Sequence, residues 1–351
     1  MEWAAVAVLA TVKAAAVGNF YFFFSILSRK LAYTEVSHMG RTTTIRIPTI
    51  AVTGGKGGTG KSLIATNLAV RLSEEGKRVL LIDCDVENPN TNILLGISLQ
   101  ESNVEVTPVE IFKPNFNHEK CTKCGRCRDV CYRHAILQFP DQFPSVMDHM
   151  CSGCTTCLRV CPTGAIETTK REIGSQYFIK STKYPNISLI VGELKPTEAV
   201  SVLIIKQILA FAAKVIELEH YNIVVIDTSP GAHCDVEEAL SGVNLILCVT
   251  EPTPFGEHDL GRILDLVDII GHKAHIILNR ADMANYQDPI RALSHTRHAP
   301  ILGEIPLDNT VIEDYARGIP FSTDPREFPA KSAFSTLFER VKDTLKEVKP
   351  Q

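Results

Sequence analysis

The sequence has no excess of positive charge. Its 36 lysines and arginines stand against 40 aspartates and glutamates, and the formal net charge is −4. That balance leaves no electrostatic footprint for nucleic acid. Signs of an oxidising compartment are also missing, so a disulfide framework is not the expected use of the 11 cysteines. At 351 residues the chain has room for two domains.

Eight of those 11 cysteines form two copies of one pattern, Cys121-x2-Cys124-x2-Cys127-x3-Cys131 and Cys151-x2-Cys154-x2-Cys157-x3-Cys161-Pro162. Two-residue gaps let three thiolates wrap one face of a cubane cluster, while the fourth, three residues on, turns away and ligates the other cluster. The spacing therefore predicts two [4Fe-4S] sites with crossed ligands. Cys121, Cys124, Cys127 and Cys161 hold the first, and Cys151, Cys154, Cys157 and Cys131 the second. The flanks repeat too: Cys131-Tyr132-Arg133-His134-Ala135-Ile136 parallels Cys161-Pro162-Thr163-Gly164-Ala165-Ile166, as in an internally duplicated module. Structural zinc also uses paired Cys-x2-Cys steps, but it has no need of a third and fourth cysteine at these intervals. The segment from 115 to 172 resembles a bacterial two-cluster ferredoxin. Tyr132 stands where the usual run has a proline, a departure that touches the turn and removes no ligand.

Upstream, a strand-like run, Ile47-Pro48-Thr49-Ile50-Ala51-Val52-Thr53, precedes Gly54-Gly55-Lys56-Gly57-Gly58-Thr59-Gly60-Lys61-Ser62 and a helical run. This is G-x4-G-K-S in the strand-loop-helix context that a phosphate-binding loop requires. Its glycines let backbone N–H groups converge on phosphate oxygens at a helix N-terminus, Lys61 brings charge to the β- and γ-phosphates, and the Ser62 hydroxyl is placed for Mg²⁺. Gly55, Lys56, Gly57, Gly58, Thr59, Gly60, Lys61 and Ser62 are thus the candidate nucleotide contacts.

The extra lysine gives K-G-G-x-G-K-S, which resembles the deviant Walker A motif of the MinD, ParA and nitrogenase-iron-protein superfamily of ATPases. The resemblance implies an ATP-dependent face-to-face homodimer in which Lys56 reaches the partner's nucleotide and stabilises charge on the transferred phosphoryl group. Arg78-Val79-Leu80-Leu81-Ile82-Asp83-Cys84-Asp85 resembles the switch I segment of that family. Asp85 is then expected to position the attacking water, and Asp83 to sit near Mg²⁺ and Lys61. Ile223-Val224-Val225-Ile226-Asp227-Thr228-Ser229-Pro230-Gly231 resembles its Walker B strand and switch II, with Asp227 holding a water of the Mg²⁺ shell. Asn279-Arg280 matches the adenine-contacting step, and Pro306 lies in the later loop beside the base. A lone aspartate at a strand end also serves as an ordinary helix cap.

Strand candidates at 47 to 53, 78 to 83, 187 to 191, 223 to 227, 244 to 249, 274 to 279 and 301 to 305 alternate with helical segments at 61 to 75, 198 to 219 and 257 to 271. Such alternation predicts an α/β fold, a mostly parallel sheet with helices on both faces. The expected organisation is a P-loop ATPase domain of 39–114 and 173–351, interrupted by an α+β ferredoxin insert at 115–172. Because ligands bind at the carboxyl ends of parallel strands, an insert rooted after switch I lies where it can feel the nucleotide. Residues 1–38 form an apolar extension whose stretch from Trp3 to Leu27 is long enough to span a bilayer. It reads as a membrane anchor, a cleaved signal, or sequence upstream of a true start at Met39; in the first case Arg29 and Lys30 keep the ATPase cytoplasmic.

Three cysteines remain. Cys84 and Cys248 lie in apolar strands and read as buried small hydrophobes. Cys234, seven residues past Asp227, resembles the switch II cysteine of the nitrogenase iron protein, although the second cluster cysteine of that protein has no counterpart here. Lys120, Lys123, Arg126, Arg128, Arg133 and Arg159 surround the two motifs, either to offset cluster charge or to dock an acidic redox partner. The cofactors implied are ATP or ADP, Mg²⁺ and two [4Fe-4S] clusters. Two functions fit: nucleotide-gated electron transfer to a partner protein, or cluster assembly and delivery to an apoprotein client. A third reading has the clusters only bracing the ATPase. Corrinoid amidation, known among relatives with this ATPase fold, needs a glutaminase segment that the chain lacks.

Overall fold

The computed structural model describes residue 45 and residues 47–347, all within the unit Thr44–Gln351. The apolar stretch from 3 to 27 lies outside the described residues. Among those described, no helix is long and apolar enough to cross a membrane.

In chain order, β1 (Thr49–Thr53), α1 (Lys61–Glu74), β2 (Val79–Cys84), α2 (Thr91–Leu94) and β3 (Glu105–Phe116) come first. The cysteine-rich stretch follows, with α3 (Arg126–Asp129), β4 (Ile136–Leu137), β5 (Ser145–Val146) and α4 (Thr156–Val160). The chain returns through β6 (Ile166–Ile179), β7 (Ile187–Leu194), α5 (Ser201–Leu218), β8 (Ile223–Thr228), α6 (Cys234–Leu240) and β9 (Leu245–Thr250). It ends with α7 (Pro254–Ile269), β10 (Ala274–Asn279), α8 (Gln287–Thr296), β11 (Ile301–Ile305), α9 (Asn309–Ala316) and α10 (Pro329–Glu347).

Nine strands form one sheet in the order β11-β10-β9-β1-β8-β2-β7-β6-β3. From β11 to β7 every pairing is parallel. Strands this apolar, buried end to end, require helices on both faces. Alternate residues of one strand feed opposite cores. Ala51, Leu80 and Ile82 pack beneath α5, α6 and α7 through Ile204, Ile208, Val236 and Ile263. Ile50, Val52 and Leu81 face α1 and α10 through Ile64, Leu68, Phe334 and Phe338. α7 begins at Pro254, three residues before the sequence-based start, because the Thr253 hydroxyl accepts a hydrogen bond from Gly256 N at 3.0 Å and Pro254 fits the first turn.

Two strands extend the parallel frame. β6 pairs antiparallel with β7, and β3 pairs antiparallel with β6 from Glu105↔Phe178 to Phe116↔Ile166. β3 carries Pro108 and Pro114, which an edge strand tolerates. Those prolines and its exposed face hide it from a search for apolar runs. Residues 117–165 are carried between these two strands, where β4 and β5 pair with each other and Ile136, Cys157 and Ile166 make a small core of their own.

One aromatic contact closes the α10 face. Phe334 is fully buried and meets Phe321 edge-on with ring centroids 5.2 Å apart. Phe334→Ala is expected to cost about 3–5 kcal/mol of unfolding free energy, read as a lowered denaturation midpoint at unchanged slope. An unchanged midpoint would mean that α10 does not close this core.

Candidate functional site

The loop of residues 54–60 leaves β1 at the carboxyl edge of the sheet and turns into α1. The turn is made by Gly60, whose φ of +100° suits glycine and whose missing Cβ leaves room for Asn279 Nδ2, 2.4 Å from where it would stand. Asn279 Nδ2 donates to Thr59 O at 2.8 Å, so the residue at the end of β10 holds the loop in shape. Beside the loop opens a cavity of about 460 Å³. Gly57, Gly58, Gly60, Lys61, Ser62, Asp85, Asn279, Arg280 and Pro306 all line it. Gly55, Lys56, Thr59, Asp83 and Asp227 stand outside that wall.

Four charged groups meet at the ends of β2 and β8. Lys61 is 5% exposed and its ammonium donates to Lys56 O at 3.0 Å; burial pulls its pKa down, against the pull of Asp227 and Asp85. Asp83 is fully buried, which raises its pKa, but it is well satisfied. One oxygen accepts from Asp85 N at 3.0 Å, and the other from Asn90 N and Thr91 N at 3.0 Å and from the Thr91 hydroxyl at 2.8 Å. It thereby ties the end of β2 to the start of α2. Asp85 is pushed up to about 7, by burial first and by Asp83 second, with Lys61 pulling the other way.

Asp227 is different. It too is fully buried, and burial together with Asp83 lifts its pKa well above the carboxylate range. Ser62 lies beside it and favours the charged form, yet neither carboxylate oxygen accepts a hydrogen bond of normal geometry. An orphaned buried carboxylate is costly. Its oxygens fit the water shell of a magnesium ion held by Ser62, since water molecules on a cation are strong donors.

Glu251, one residue past β9, was not singled out in the sequence. Its side chain is 8% exposed and bridges two cations, Lys56 Nζ at 2.9 Å and Arg280 Nη1 at 3.1 Å. Lys56 is therefore held within its own chain here, on the P-loop side of the site. The signal available was an acid directly after a strand that neighbours β1. Leu94, Val311, Tyr315 and Phe321, which form the apolar end of the cavity, were also missed because they come from α2, α9 and the turn before α10.

Cys121, Cys124, Cys127 and Cys161 line one small cavity. Cys151 lies within electrostatic reach of Cys154 and Cys131, and Cys157 of Cys154, Cys151 and, from the first set, Cys127. The duplication shows in the hydrogen bonds as well: Ala135 N donates to Cys131 Sγ at 3.2 Å and Ala165 N to Cys161 Sγ at 3.3 Å. Burial pushes the Cys157 thiol up to about 11 and raises Cys127 and Cys151. Among the described residues no three His, Cys, Asp or Glu side chains close on one point as a single metal ion requires. Cys84 and Cys248 are fully buried in β2 and β9, whereas Cys234 opens α6 in an exposed position.

The raised pKa of Asp85 makes a pH prediction. Its folded value of about 7 exceeds the unfolded value of 3.8, so the folded state binds the proton more tightly. Stability is then lost as pH rises from the unfolded value through about 7. Melting of the protein free of nucleotide and Mg²⁺ should show this fall, and Asp85→Asn should flatten it. An identical slope in the variant would move the titration to another group.

The family model for the CobQ/CobB/MinD/ParA nucleotide binding domain matches residues 50–321. An uncharacterised protein of Methanocaldococcus jannaschii is 33% identical over 277 residues, spanning 78% of this chain and 90% of the relative. The cell division ATPase MinD of Pyrococcus furiosus shares the fold, with a TM-score of 0.54 at 18% identity over 84% of this chain and 98% of that one. An iron-sulfur cluster carrier protein of Synechocystis is 44% identical over a 70-residue stretch, 20% of each chain. With a deviant Walker A loop, a cavity beside it and three acids at the strand ends, the chain belongs to the CobQ/CobB/MinD/ParA family of nucleotide-binding proteins and is an ATPase.

Proposed function

We propose that this ATPase carries two [4Fe-4S] clusters and that its nucleotide state gates electron transfer from them to a partner protein. The observation that supports this best is the cavity lined by Cys121, Cys124, Cys127 and Cys161, with Cys131 near Cys151, on a segment carried between two strands of the sheet that ends at the nucleotide cavity. The donor set fits the group. Cys127, Cys151 and Cys157, raised by burial, become thiolates only against metal charge; hydrogen bonds already favour the thiolates of Cys154 and Cys161, and backbone N–H groups aimed at Cys131 and Cys161 sulfur suit a cluster ligand. A four-iron cluster spreads its ligands around four metal corners, so it does not require them to close on one point. When bound, the clusters supply one-electron chemistry. The chain's part is to hold them, to set their surroundings and to couple them to ATP.

On the nucleotide side, Lys61 and the loop N–H groups cradle the phosphates, Ser62 and Asp227 hold the magnesium shell, and Asp85 orients the attacking water. Asn279, Arg280 and Pro306 flank the base. Lys56 leaves Glu251 and reaches the nucleotide of a second copy in an ATP-dependent homodimer, where its charge offsets that developing on the phosphoryl group. Lys120, Lys123 and Arg126, all exposed near the first cysteine set, suit an acidic redox partner.

A second reading, delivery of a cluster to an apoprotein, draws support from the short match to a cluster carrier. One experiment separates the two. Anaerobically reconstituted protein is titrated by EPR without nucleotide, with Mg-ADP and with a non-hydrolysable Mg-ATP analogue, and then mixed with an apoferredoxin. Gated transfer predicts two reducible clusters, a nucleotide-dependent potential and no loss of iron. Nucleotide-dependent movement of iron to the acceptor would favour the carrier, and a protein that binds no iron would overturn both.

A further inference from the structure

We propose that the ion pair of Arg171 and Glu198 is the strut through which the nucleotide site sets the potential of the second cluster, with Arg171 as a positioning residue. The proposal rests on the two-cluster, nucleotide-gated reading above.

Arg171 lies on β6 and Glu198 in the turn between β7 and α5. Both side chains are almost out of water, 10% and 11% exposed. One guanidinium nitrogen, Nη1, is paired with Glu198, and the other, Nη2, donates to Cys151 O at 3.0 Å. Cys151 is the first cysteine of the second set, so the guanidinium is fixed against the backbone of a proposed cluster ligand. The pair is poorly satisfied for one so buried, because Arg171 Nε and Glu198 Oε2 have no partner. Burying an ion pair is an inefficient way to gain stability. A fixed positive charge beside a cluster ligand has a clear electrostatic effect instead: it favours the more negative, reduced cluster and raises the potential.

The other end of the strut reaches the nucleotide site through the backbone. Leu194 N donates to Val86 O at 2.7 Å, and Val86 directly follows Asp85. Gly192 packs so closely against Val86 that an added Cβ would lie 2.9 Å from Val86 Cγ1 and 3.1 Å from Ile208 Cδ1. The end of β7 therefore has little freedom to move independently of Val86. From there Lys195 N bonds Ile173 O at 2.9 Å and Glu198 N bonds Lys195 O at 3.2 Å. A change at Asp85 has a short, packed route to Glu198, Arg171 and the Cys151 carbonyl.

The test measures potentials. Wild type, Arg171→Met, Arg171→Lys and Glu198→Gln are reconstituted anaerobically and titrated by EPR with Mg-ADP and with a non-hydrolysable Mg-ATP analogue. In wild type one cluster is expected to differ in potential between the two nucleotides. In Arg171→Met and Glu198→Gln that difference should vanish, while the other cluster, nucleotide affinity and iron content stay as in wild type. Arg171→Lys should restore the basal potential, which needs charge, more than the nucleotide response, which needs the two-pronged contact. Should Arg171→Met shed its second cluster, Glu198→Gln decides, since it leaves the guanidinium in the chain. A nucleotide-dependent shift that persists in Glu198→Gln overturns the strut alone. No shift in wild type overturns the gating reading and the strut with it.

Discussion

Three carboxylates and one ammonium, Asp83, Asp85, Asp227 and Lys61, are drawn out of water at the carboxyl ends of two adjacent strands, and the rest of the site is built around the cost of burying them. Fully ionised, three acids against one lysine leave an excess of two negative charges, which low-dielectric surroundings do not tolerate unaided. The chain answers in different ways at each acid. Asp83 is satisfied by four hydrogen bonds from Asp85, Asn90 and Thr91, so it organises the turn after β2. All three have their pKa values raised by burial, but Asp227 lacks hydrogen bonds of this kind. A divalent cation carries the charge that would settle the balance. The four groups are thus arranged to receive a divalent cation with its nucleotide, which is what the proposed coupling to the cysteine module would draw on.

The sheet joins this site to the cysteine-rich segment. β2 carries Asp83 and leads to Asp85; β7 lies directly beside it, and β6 and β3 beyond. Those last two strands hold the cysteine-rich segment at their far ends. An insert joined by two loose linkers would feel little of the nucleotide site. Here the connection is a twelve-residue antiparallel ladder on β3, continuous with the strands that end at the P-loop. On the opposite flank Glu251 holds Lys56 and Arg280 together, so the lysine that the homodimer reading sends to a partner has a competing contact at home.

Much of this was legible in the sequence for physical reasons. Long apolar runs such as Val79–Cys84 and Ile223–Thr228 have only one comfortable place, the middle of a covered parallel sheet, and each was recognised within a residue of its bounds. The P-loop and the cysteine spacing are chemical constraints written in fixed intervals, so they survive without knowledge of the fold. β3 and β6 were illegible because their stability comes from pairing with each other across a long insertion, with polar residues on an open face and two prolines in the edge strand. Glu251, Arg171 and Glu198 were missed for a related reason. Each is an ordinary charged residue whose meaning lies in partners far along the chain, 195 residues away for Lys56 and Glu251.

The central claim is that the nucleotide site and the cysteine module act through one continuous sheet. Hydrogen–deuterium exchange of the reconstituted protein, with and without a non-hydrolysable Mg-ATP analogue, tests it most directly. The account predicts changed protection in the P-loop and α9, and also in residues 190–198 and in the loop carrying Cys151 and Cys154. Changes confined to the P-loop, α1 and α9, with the cysteine module untouched, would contradict it.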